Sequence, residues 1–364
     1  MQLIPRVTFH GTPREVGRQH GAQLKALVVK MVEVHQPARF PDEKRVFAEP
    51  MLDYLRRHFA EIIEEIEGIA EGAGVDCEHV AAMSISQSYN EMPGPHMCSS
   101  IAWNHPRFGP FVFKTDDGPS ASADEPVEAL VDRRLWAKVA FDIKTTKSHR
   151  VLGVSDAGRV WLETGLNERG LCMGHSSGRP VLGEQEPHAI PQHMFPGLVL
   201  RHCSNCDEVE AFARNHPVTG KGVNIACADR KGNVIAVEKC GQHTGIRRSR
   251  EWAFVTNHYQ EKELAGLVSA QVPAFLRSHY YANSRAREVF LKRQLPKVCE
   301  VDGGDLRNQL EVLLEEGAGE ICQRFRTKEG LWTQYAAFLN PAAKTIELYL
   351  GPYERKPRVT YSLT

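Results

Sequence analysis

Cys98 lies in a setting in which its thiol could act as a nucleophile. It follows the turn-forming triplet PGP at 93–95 and begins the first of two short β-rich segments, of which the second ends at Asp116 and Asp117. The intervening NHPRFGP is short enough to connect a hairpin. An antiparallel hairpin would bring a thiol at the start of one strand next to a carboxylate at the end of its partner. The residues therefore predict a cysteine–carboxylate site where helical sequence gives way to strands.

A serine offers an alternative nucleophile. The segment GHSSG at 174–178 fits the G-x-S-x-G pattern, in which a sharp turn between a strand and a helix exposes the hydroxyl, here that of Ser176. A strand-like sequence precedes it, but RPVLG follows, and proline and glycine do not favour the start of a long helix. A serine hydrolase is therefore the weaker hypothesis.

The cysteines also allow a metal site. His202, Cys203 and Cys206 have the spacing of zinc ligands, and Cys227 and Cys240 could complete the set. This Cys-x-x-Cys lies inside a helical apolar pattern, however, and no second closely spaced pair follows it. We interpret these residues as packing cysteines and predict neither a metal nor another cofactor.

The composition is that of a globular protein without a polyanionic partner. The 364 residues include 45 Lys and Arg against 45 Asp and Glu, so the formal net charge is zero and neither nucleic acid nor an anionic membrane is expected to bind. The N-terminus lacks a signal-peptide pattern, and no segment reaches 18 apolar residues, which predicts a cytoplasmic protein. Nine scattered cysteines do not suggest a disulfide framework.

Helical patterns dominate the first hundred residues, and strand patterns are frequent in the remainder. Thr12 is a predicted N-cap with Pro13 at the first helical position, and a second helical stripe ends at Gly74. Short β-rich segments, among them RVWLE at 159–163, then alternate with helical candidates, and DRKGN at 229–233 reads as a hairpin turn. Since no regular β-α-β alternation occurs, the pattern favours an α+β fold with mostly antiparallel sheets.

The order of several motifs carries a resemblance to a known family. GTPREVGRQHG, EEIEGIAEGAG, the Cys98 segment ending in FKTDDG, GLNERGLCMG, NIACADRKGNVIAVE, VTNHY and YAAFLNPAAKTIELYLGP follow one another from end to end of the chain. In this order they resemble the isopenicillin-N acyltransferase (acyl-coenzyme A:6-aminopenicillanic acid acyltransferase) family of N-terminal-nucleophile (Ntn) cysteine hydrolases. The resemblance implies a four-layer αββα sandwich with antiparallel sheets, in which residues 1–97 and 98–364 form one domain.

The resemblance also implies a precursor that cleaves itself. Cys98 would attack the carbonyl of Met97, and hydrolysis of the thioester would free Cys98 as a new N-terminus. Residues 1–97 would remain bound as the smaller, helical chain, and residues 98–364 would form the catalytic chain. The free α-amino group, with an ordinary pKa of about 7.7–8.0, could then act as the base for the thiol of its own residue.

Further site residues follow from the motif match. Asp117 corresponds to the acid that orients the α-ammonium of Cys98, and the Asn257 amide corresponds to an oxyanion-hole donor. A backbone N–H near His175 is the predicted second donor. Arg324 matches a C-terminal family arginine near the site, although a surface arginine is an equal interpretation.

Departures from the family pattern leave alternatives open. Met97 stands where glycine is common, and Thr115 stands where asparagine is usual. Asp116 adjoins Asp117, so the identity of the catalytic acid stays open. These departures favour an alternative, a catalytically inactive, unprocessed protein on the Ntn scaffold that binds a small ligand.

The preferred hypothesis is a cysteine amidase or acyltransferase acting on a small linear amide. A thioester acyl-enzyme at Cys98 would be resolved by water or by an amine. We favour hydrolysis, because transfer from acyl-coenzyme A, the other candidate donor, needs a site that the sequence does not reveal. The identity of the amide stays open, as does a homo-oligomer.

Overall fold

Two β-sheets form the centre of the protein, whose computed structural model describes residues 4–35, 42–85, 97–119, 135–178, 186–269, 274–300, 331–350 and 358–363. The strands are β1 (Arg6–Gly11), β2 (Met97–His105), β3 (Gly109–Pro119), β4 (Lys138–Thr145), β5 (Val151–Asp156), β6 (Thr164–Asn167), β7 (Leu171–Ser177), β8 (Ile190–Pro191), β9 (Val218–Asp229), β10 (Val234–Gly241), β11 (His243–Ser249), β12 (Trp252–Val255), β13 (Leu331–Asn340), β14 (Thr345–Leu350) and β15 (Arg358–Ser362).

Helices cover both sheets. Those in the described residues are α1 (Pro13–Gln23), α2 (Lys25–His35), α3 (Asp42–His58), α4 (Ala60–Ala73), α5 (Cys77–Ile85), α6 (Met194–His202), α7 (Cys206–Asn215), α8 (Lys262–Ser269) and α9 (Ala274–Glu300).

The strand order separates the sheets clearly. The larger sheet has the order β1-β4-β5-β6-β7-β9-β10-β11, with β8 paired to β9, and the smaller sheet has the order β12-β2-β3-β13-β14-β15. Neighbouring strands are antiparallel except in two pairs, β1 with β4 and β8 with β9, which are parallel. The expectation of antiparallel sheets is therefore correct for the smaller sheet and for most of the larger one.

Three apolar clusters show four layers. One cluster joins helix residues such as Val28, Ile66 and Leu198 to the outer face of the larger sheet. A second fills the space between the sheets, and a third packs Phe290 and Leu291 of α9 against the outer face of the smaller sheet. This arrangement is the αββα sandwich that the family resemblance implies.

Two of the motifs that carry the resemblance pack against each other. Thr12 caps α1 with a capping box, as its sequence predicts. In α1 and α4, Gly17 and Gly68 face each other so closely that a Cβ on Gly68 would lie 2.2 Å from the carbonyl oxygen of Arg14. Glycines in GTPREVGRQHG and EEIEGIAEGAG thus allow the backbones of these helices to touch.

Several sequence-based boundaries differ from the structure. The helix predicted from Pro13 is interrupted at Leu24, and the residues before it include a strand, β1, that the sequence reading missed. The predicted strand at 159–163 is wrong. Val160, Trp161 and Leu162 all enter the helix-side cluster, whereas consecutive residues of a strand alternate between faces. The left-handed cap at Gly74 and the hairpin at 229–233 are confirmed.

Candidate active site

The register of β2 and β3 assigns the residues around Cys98 to two faces. Cys98 lies opposite Asp116, and Met97 lies opposite Asp117. Since side chains alternate along a strand, Cys98 and Asp116 share one face and Met97 and Asp117 share the other. The Cys98 face also bears Ala102, which belongs to the cluster between the sheets. The thiol therefore faces the interior of the sandwich.

The Cys98 thiol is buried beside an ion pair. Its Sγ lies 3.6 Å from Asp116 Oδ1 and 4.0 Å from Lys114 Nζ, and these two charged groups are 3.0 Å apart. Burial raises the pKa of Cys98 to about 12, opposed mainly by the positive charge of Lys114. The thiol is therefore protonated at neutral pH in this arrangement, and Lys114 is the group that favours its thiolate.

A chain of alternating charges continues from Lys114 into the protein. Lys114 Nζ donates to Tyr335 Oη at 3.4 Å, and Tyr335 Oη donates to Glu163 Oε2 at 2.7 Å. Glu163 pairs in turn with Lys138, whose Nζ lies 3.1 Å from Asp156. Burial lowers the pKa of Lys114, but Asp116 and the other acidic neighbours together outweigh this effect, so the pKa lies above its usual value. The buried ammonium groups thus remain charged because each has a carboxylate partner.

Asp117 lies on the other face and is incompletely satisfied. Thr333 Oγ1 donates to Asp117 Oδ1 at 2.6 Å, whereas the buried Oδ2 has no hydrogen-bond partner among the described residues. Burial raises the pKa of Asp117 to about 7, opposed chiefly by Arg287. Opposite Met97, the buried Asp117 Oδ2 can therefore accept one more hydrogen bond.

Asn257 contacts the backbone of Cys98. The Cys98 N–H donates to Asn257 Oδ1 at 3.0 Å, and Asn257 Nδ2 donates to the carbonyl of Ser177 at 3.0 Å. The backbone N–H of Asn257 donates to Ser284 Oγ in α9 at 2.9 Å. This segment follows the end of β12, so the sheet and α9 together hold the Asn257 amide next to Cys98.

Arg287 is a site residue that the sequence analysis missed. Its Nη1 donates to the Cys98 carbonyl at 2.5 Å and to Ser99 Oγ at 2.8 Å, and its Nη2 donates to Asn257 Oδ1 at 2.7 Å. It is fully buried. Arg287 precedes Phe290 by three residues and Leu291 by four, so it lies on the apolar stripe of α9. This position is the signal that could have identified it. Lys114, fully buried in a strand, was missed in the same way.

The remaining predicted residues lie elsewhere. The His175 side chain is on the helix-facing side of β7, with its ring 5.4 Å from that of His193, and burial together with the charge of Lys114 lowers its pKa to about 3. Its backbone N–H stays the predicted second oxyanion donor. Arg324 lies outside the described residues. Ser176 is within β7 opposite Asn224, so it does not occupy a strand-to-helix turn.

The cysteines considered as zinc ligands pack in the apolar core instead. Cys203, Cys206 and Cys227 are buried in the helix-side apolar cluster, and His202 Nε2 lies 2.9 Å from Glu61 Oε1. Within the described ranges, no group of three or more His, Cys, Asp and Glu side chains is arranged to hold a metal ion. In the same residues, no helix is both long and apolar enough to cross a membrane.

Comparison with known proteins gives a family and several similar structures. A family model, acyl-coenzyme A:6-aminopenicillanic acid acyl-transferase, matches residues 132–354. Penicillin V acylase from Agrobacterium tumefaciens is 11% identical over 70% of this chain and 83% of its own, with a TM-score of 0.47. A mutant of conjugated bile acid hydrolase from Clostridium perfringens is 15% identical over 73% and 92%, with a TM-score of 0.44.

A third similar structure is the N-acylethanolamine-hydrolyzing acid amidase ortholog of Caenorhabditis elegans, 14% identical over 73% of this chain and 100% of its own, with a TM-score of 0.44. Comparison with curated proteins found no match. The family match covers more than half of the chain. The chain therefore belongs to the acyl-coenzyme A:6-aminopenicillanic acid acyl-transferase family.

Proposed function

We propose that the protein is a self-processing cysteine enzyme that hydrolyses a small linear amide through a thioester at Cys98. The observation that carries the proposal is the setting of this residue, whose thiol adjoins Lys114 and Asp116 and whose N–H is bound by Asn257. The family match lies C-terminal to Cys98, so it supports acyl chemistry in general, and the assignment of the nucleophile depends on this geometry.

Processing would use the groups that already surround the Met97–Cys98 peptide. Sγ forms a bond to the Met97 carbonyl carbon, the C–N bond breaks, and the thiol proton passes to the departing amine. Water then hydrolyses the thioester, which restores the thiol and leaves Met97 with a carboxylate. Asp116 accepts the thiol hydrogen bond and is the nearest base, whereas Arg287 holds the Cys98 carbonyl in place.

In the processed enzyme, the new α-amino group of Cys98 would deprotonate the thiol. Asp117 Oδ2, a buried acceptor without a partner in the described structure, is suited to bind the α-ammonium form. Lys114 would stabilise the thiolate. Asn257 Nδ2 would donate to the oxyanion, a contribution of about 2.7–4 kcal/mol for one such donor.

We propose hydrolysis rather than acyl transfer, because hydrolysis needs only water as its second substrate. An acyltransferase reaction at the same thioester would require an amine acceptor and an acyl donor such as acyl-coenzyme A. The two reactions are separated by supplying an amine to the acyl-enzyme and analysing the products. A cytoplasmic location, a small-molecule partner and the retention of residues 1–97 as a bound chain belong to the same proposal.

The first experiment is the intact mass of the purified protein and of three variants. Cys98→Ala tests the nucleophile, Cys77→Ala is a matched control at an exposed cysteine, and Ser176→Ala tests the serine alternative. We expect fragments of residues 1–97 and 98–364 in the wild type and in both other variants, and one intact chain in Cys98→Ala. An intact wild-type chain after long incubation would contradict self-processing.

One observation favours the alternative of an unprocessed ligand-binding protein. Met97 is only 2% exposed, and its Sδ lies 3.1 Å from Arg287 Nη2. A residue packed in this way stabilises the uncleaved chain. The alternative predicts one chain in all four samples and no turnover of any amide.

A further inference from the structure

A cavity lies between α9 and the segment that follows β12. Its volume is about 440 Å³, within the range of small-molecule sites. Three of the side chains that line it are cationic, namely Arg247, Arg285 and Lys292, against one carboxylate, that of Glu288. The excess of positive charge indicates an anionic ligand.

The cavity is separate from the space that the thiol faces. The Arg247 guanidinium lies 5.9 Å from the centre of the Phe254 ring, and Phe254 belongs to the cluster between the smaller sheet and α9. Cys98 lies on the opposite, inner face of that sheet. A ligand in this cavity is therefore not the amide attacked by Cys98.

Glu238 holds one wall of the cavity in position. This carboxylate is 1% exposed. Its Oε1 accepts from Arg247 Nη2 at 2.7 Å, and its Oε2 accepts from the backbone N–H groups of Gln260 and Glu261, both at 2.9 Å. Arg247 Nη2 also donates to the carbonyl of Phe254 at 2.8 Å. The guanidinium is thus fixed before any ligand arrives, which lowers the entropic cost of binding.

Two buried donors in this wall lack acceptors. Arg247 Nε and Gln260 Nε2 are both buried, and neither has a hydrogen-bond partner within the described part of the chain. A buried donor without an acceptor is unfavourable, because it has lost its hydrogen bonds to water and has gained none in return. Both side chains line the same cavity, so one ligand with several acceptor oxygens can satisfy both.

The local charges leave one cation uncompensated. Glu238 balances Arg247, and Glu288 is shared by His258 and Lys292. Arg285 has no carboxylate partner among the residues that the structure describes. We infer that the cavity is a binding site for a small organic anion, whose carboxylate or phosphate group is bound by Arg247, Gln260 and Arg285.

The position of the cavity connects it to Cys98. His258, which lines the cavity, immediately follows Asn257, and Glu288 immediately follows Arg287. The same two segments therefore present one residue to the nucleophile and the next to the cavity. An anion that binds there contacts the elements that position the nucleophile without entering the thiol site.

The test is calorimetric titration of the full-length protein with inorganic phosphate and, separately, with acetate, at constant ionic strength. Arg285→Gln and Gln260→Leu each remove one proposed contact. Arg293→Gln is the matched control, since Arg293 lies on the same helix but does not line the cavity. We expect saturable binding of at least one anion, weakened about tenfold or more by each of the two cavity variants and unchanged by the control.

The two anions distinguish a natural ligand that carries a phosphate from one that carries a carboxylate. A phosphate site should bind phosphate more tightly than acetate, and a carboxylate site should bind acetate more tightly than phosphate. Binding of neither anion to the wild type would overturn the inference. Equal binding by the wild type and both cavity variants would also overturn it. Circular dichroism of each variant confirms that a loss of binding is not a loss of folding, and none of these outcomes depends on processing at Cys98.

Discussion

Asp116 and Asp117 are consecutive, yet their carboxylates lie on opposite faces of β3. Asp116 Oδ1 is 3.6 Å from Cys98 Sγ, whereas Asp117 Oδ1 accepts from Thr333 on the side of α9. The sequence left the choice between these acids open. Their positions suggest two roles, with Asp116 acting on the thiol and Asp117 on the backbone amine.

Substitution of each acid should separate these roles. Asp117→Asn removes the charge that would bind the α-ammonium, so we expect kcat of the processed enzyme to fall at least tenfold. Asp116→Asn removes a carboxylate that raises the pKa of Cys98, so we expect the pH profile to shift toward lower pH. Steady-state kinetics across pH measure both effects. If Asp117→Asn shifted the pH profile and Asp116→Asn did not, the assignment of Asp116 to the thiol would be contradicted.

Lys114 should determine how readily Cys98 ionises. Among the neighbouring groups, its charge is the main one that lowers the pKa of the thiol. Lys114→Met should therefore move the pH of half-maximal activity upward, whereas Lys114→Arg keeps the charge and should move it less. The pH dependence of kcat/KM is the measurement. Equal profiles for the two variants would show that the ammonium does not act on the thiol.

Arg287 should stabilise both the fold and the site. Arg287→Met removes hydrogen bonds from a charged donor to the Cys98 carbonyl and Asn257, each worth about 1.5–3 kcal/mol. We expect a loss of about 3 kcal/mol or more in the free energy of unfolding, measured with urea, and slower processing. Asn283→Ala removes the acceptor of Arg287 Nε and should cost about 1 kcal/mol. Arg293→Met, on the same helix, should stay within about 0.5 kcal/mol of the wild type.

The raised pKa of Asp117, about 7, predicts a particular pH dependence of stability. Between about pH 4 and 7 the folded protein holds a proton that the unfolded chain releases, so the contribution of this group falls as pH rises. His20 and His175, with pKa values lowered to about 3 mainly by burial, act in the opposite sense and add stability as pH rises toward 6.5.

Comparison with Asp117→Asn isolates the carboxyl group. Measured in the unprocessed Cys98→Ala background, the protein with Asp117 should lose stability relative to the protein with Asp117→Asn by up to about 1.4 kcal/mol per pH unit between pH 4 and 7, and no further above pH 7. Urea unfolding at several pH values gives this difference. Parallel curves for the two proteins would contradict a raised pKa at Asp117.

The contact between α1 and α4 predicts that Gly68→Ala is strongly destabilising. The new Cβ would meet the backbone of α1 at 2.2 Å, so the helices must move apart. Overpacking of this kind costs about 1–3 kcal/mol. Gly266→Ala in α8 is the control, because its Cβ would meet nothing within 4 Å, and it should stabilise by about 0.5–1 kcal/mol. Thermal unfolding compares the two, and equal effects would contradict close packing.

The sequence alone determined the features that depend on neighbouring residues. The cap at Thr12, the left-handed cap at Gly74 and the hairpin at 229–233 are local, because each is decided by a few consecutive residues. The pairing of Cys98 with an acid was also local, since a short hairpin connects the two strands. The order of motifs was sufficient to identify the family.

Tertiary structure decided which distant residues complete the site. Arg287 is 189 positions from Cys98. Its place on the apolar stripe of α9 indicates that it is buried, but only the packing of α9 on the smaller sheet brings it to the Cys98 carbonyl. Lys114 has an ordinary place in a strand, and only the second sheet buries its charge beside the thiol. Burial and long-range pairing depend on how the layers stack, and this is why the chemistry around Cys98 is a property of the fold and not of any one segment.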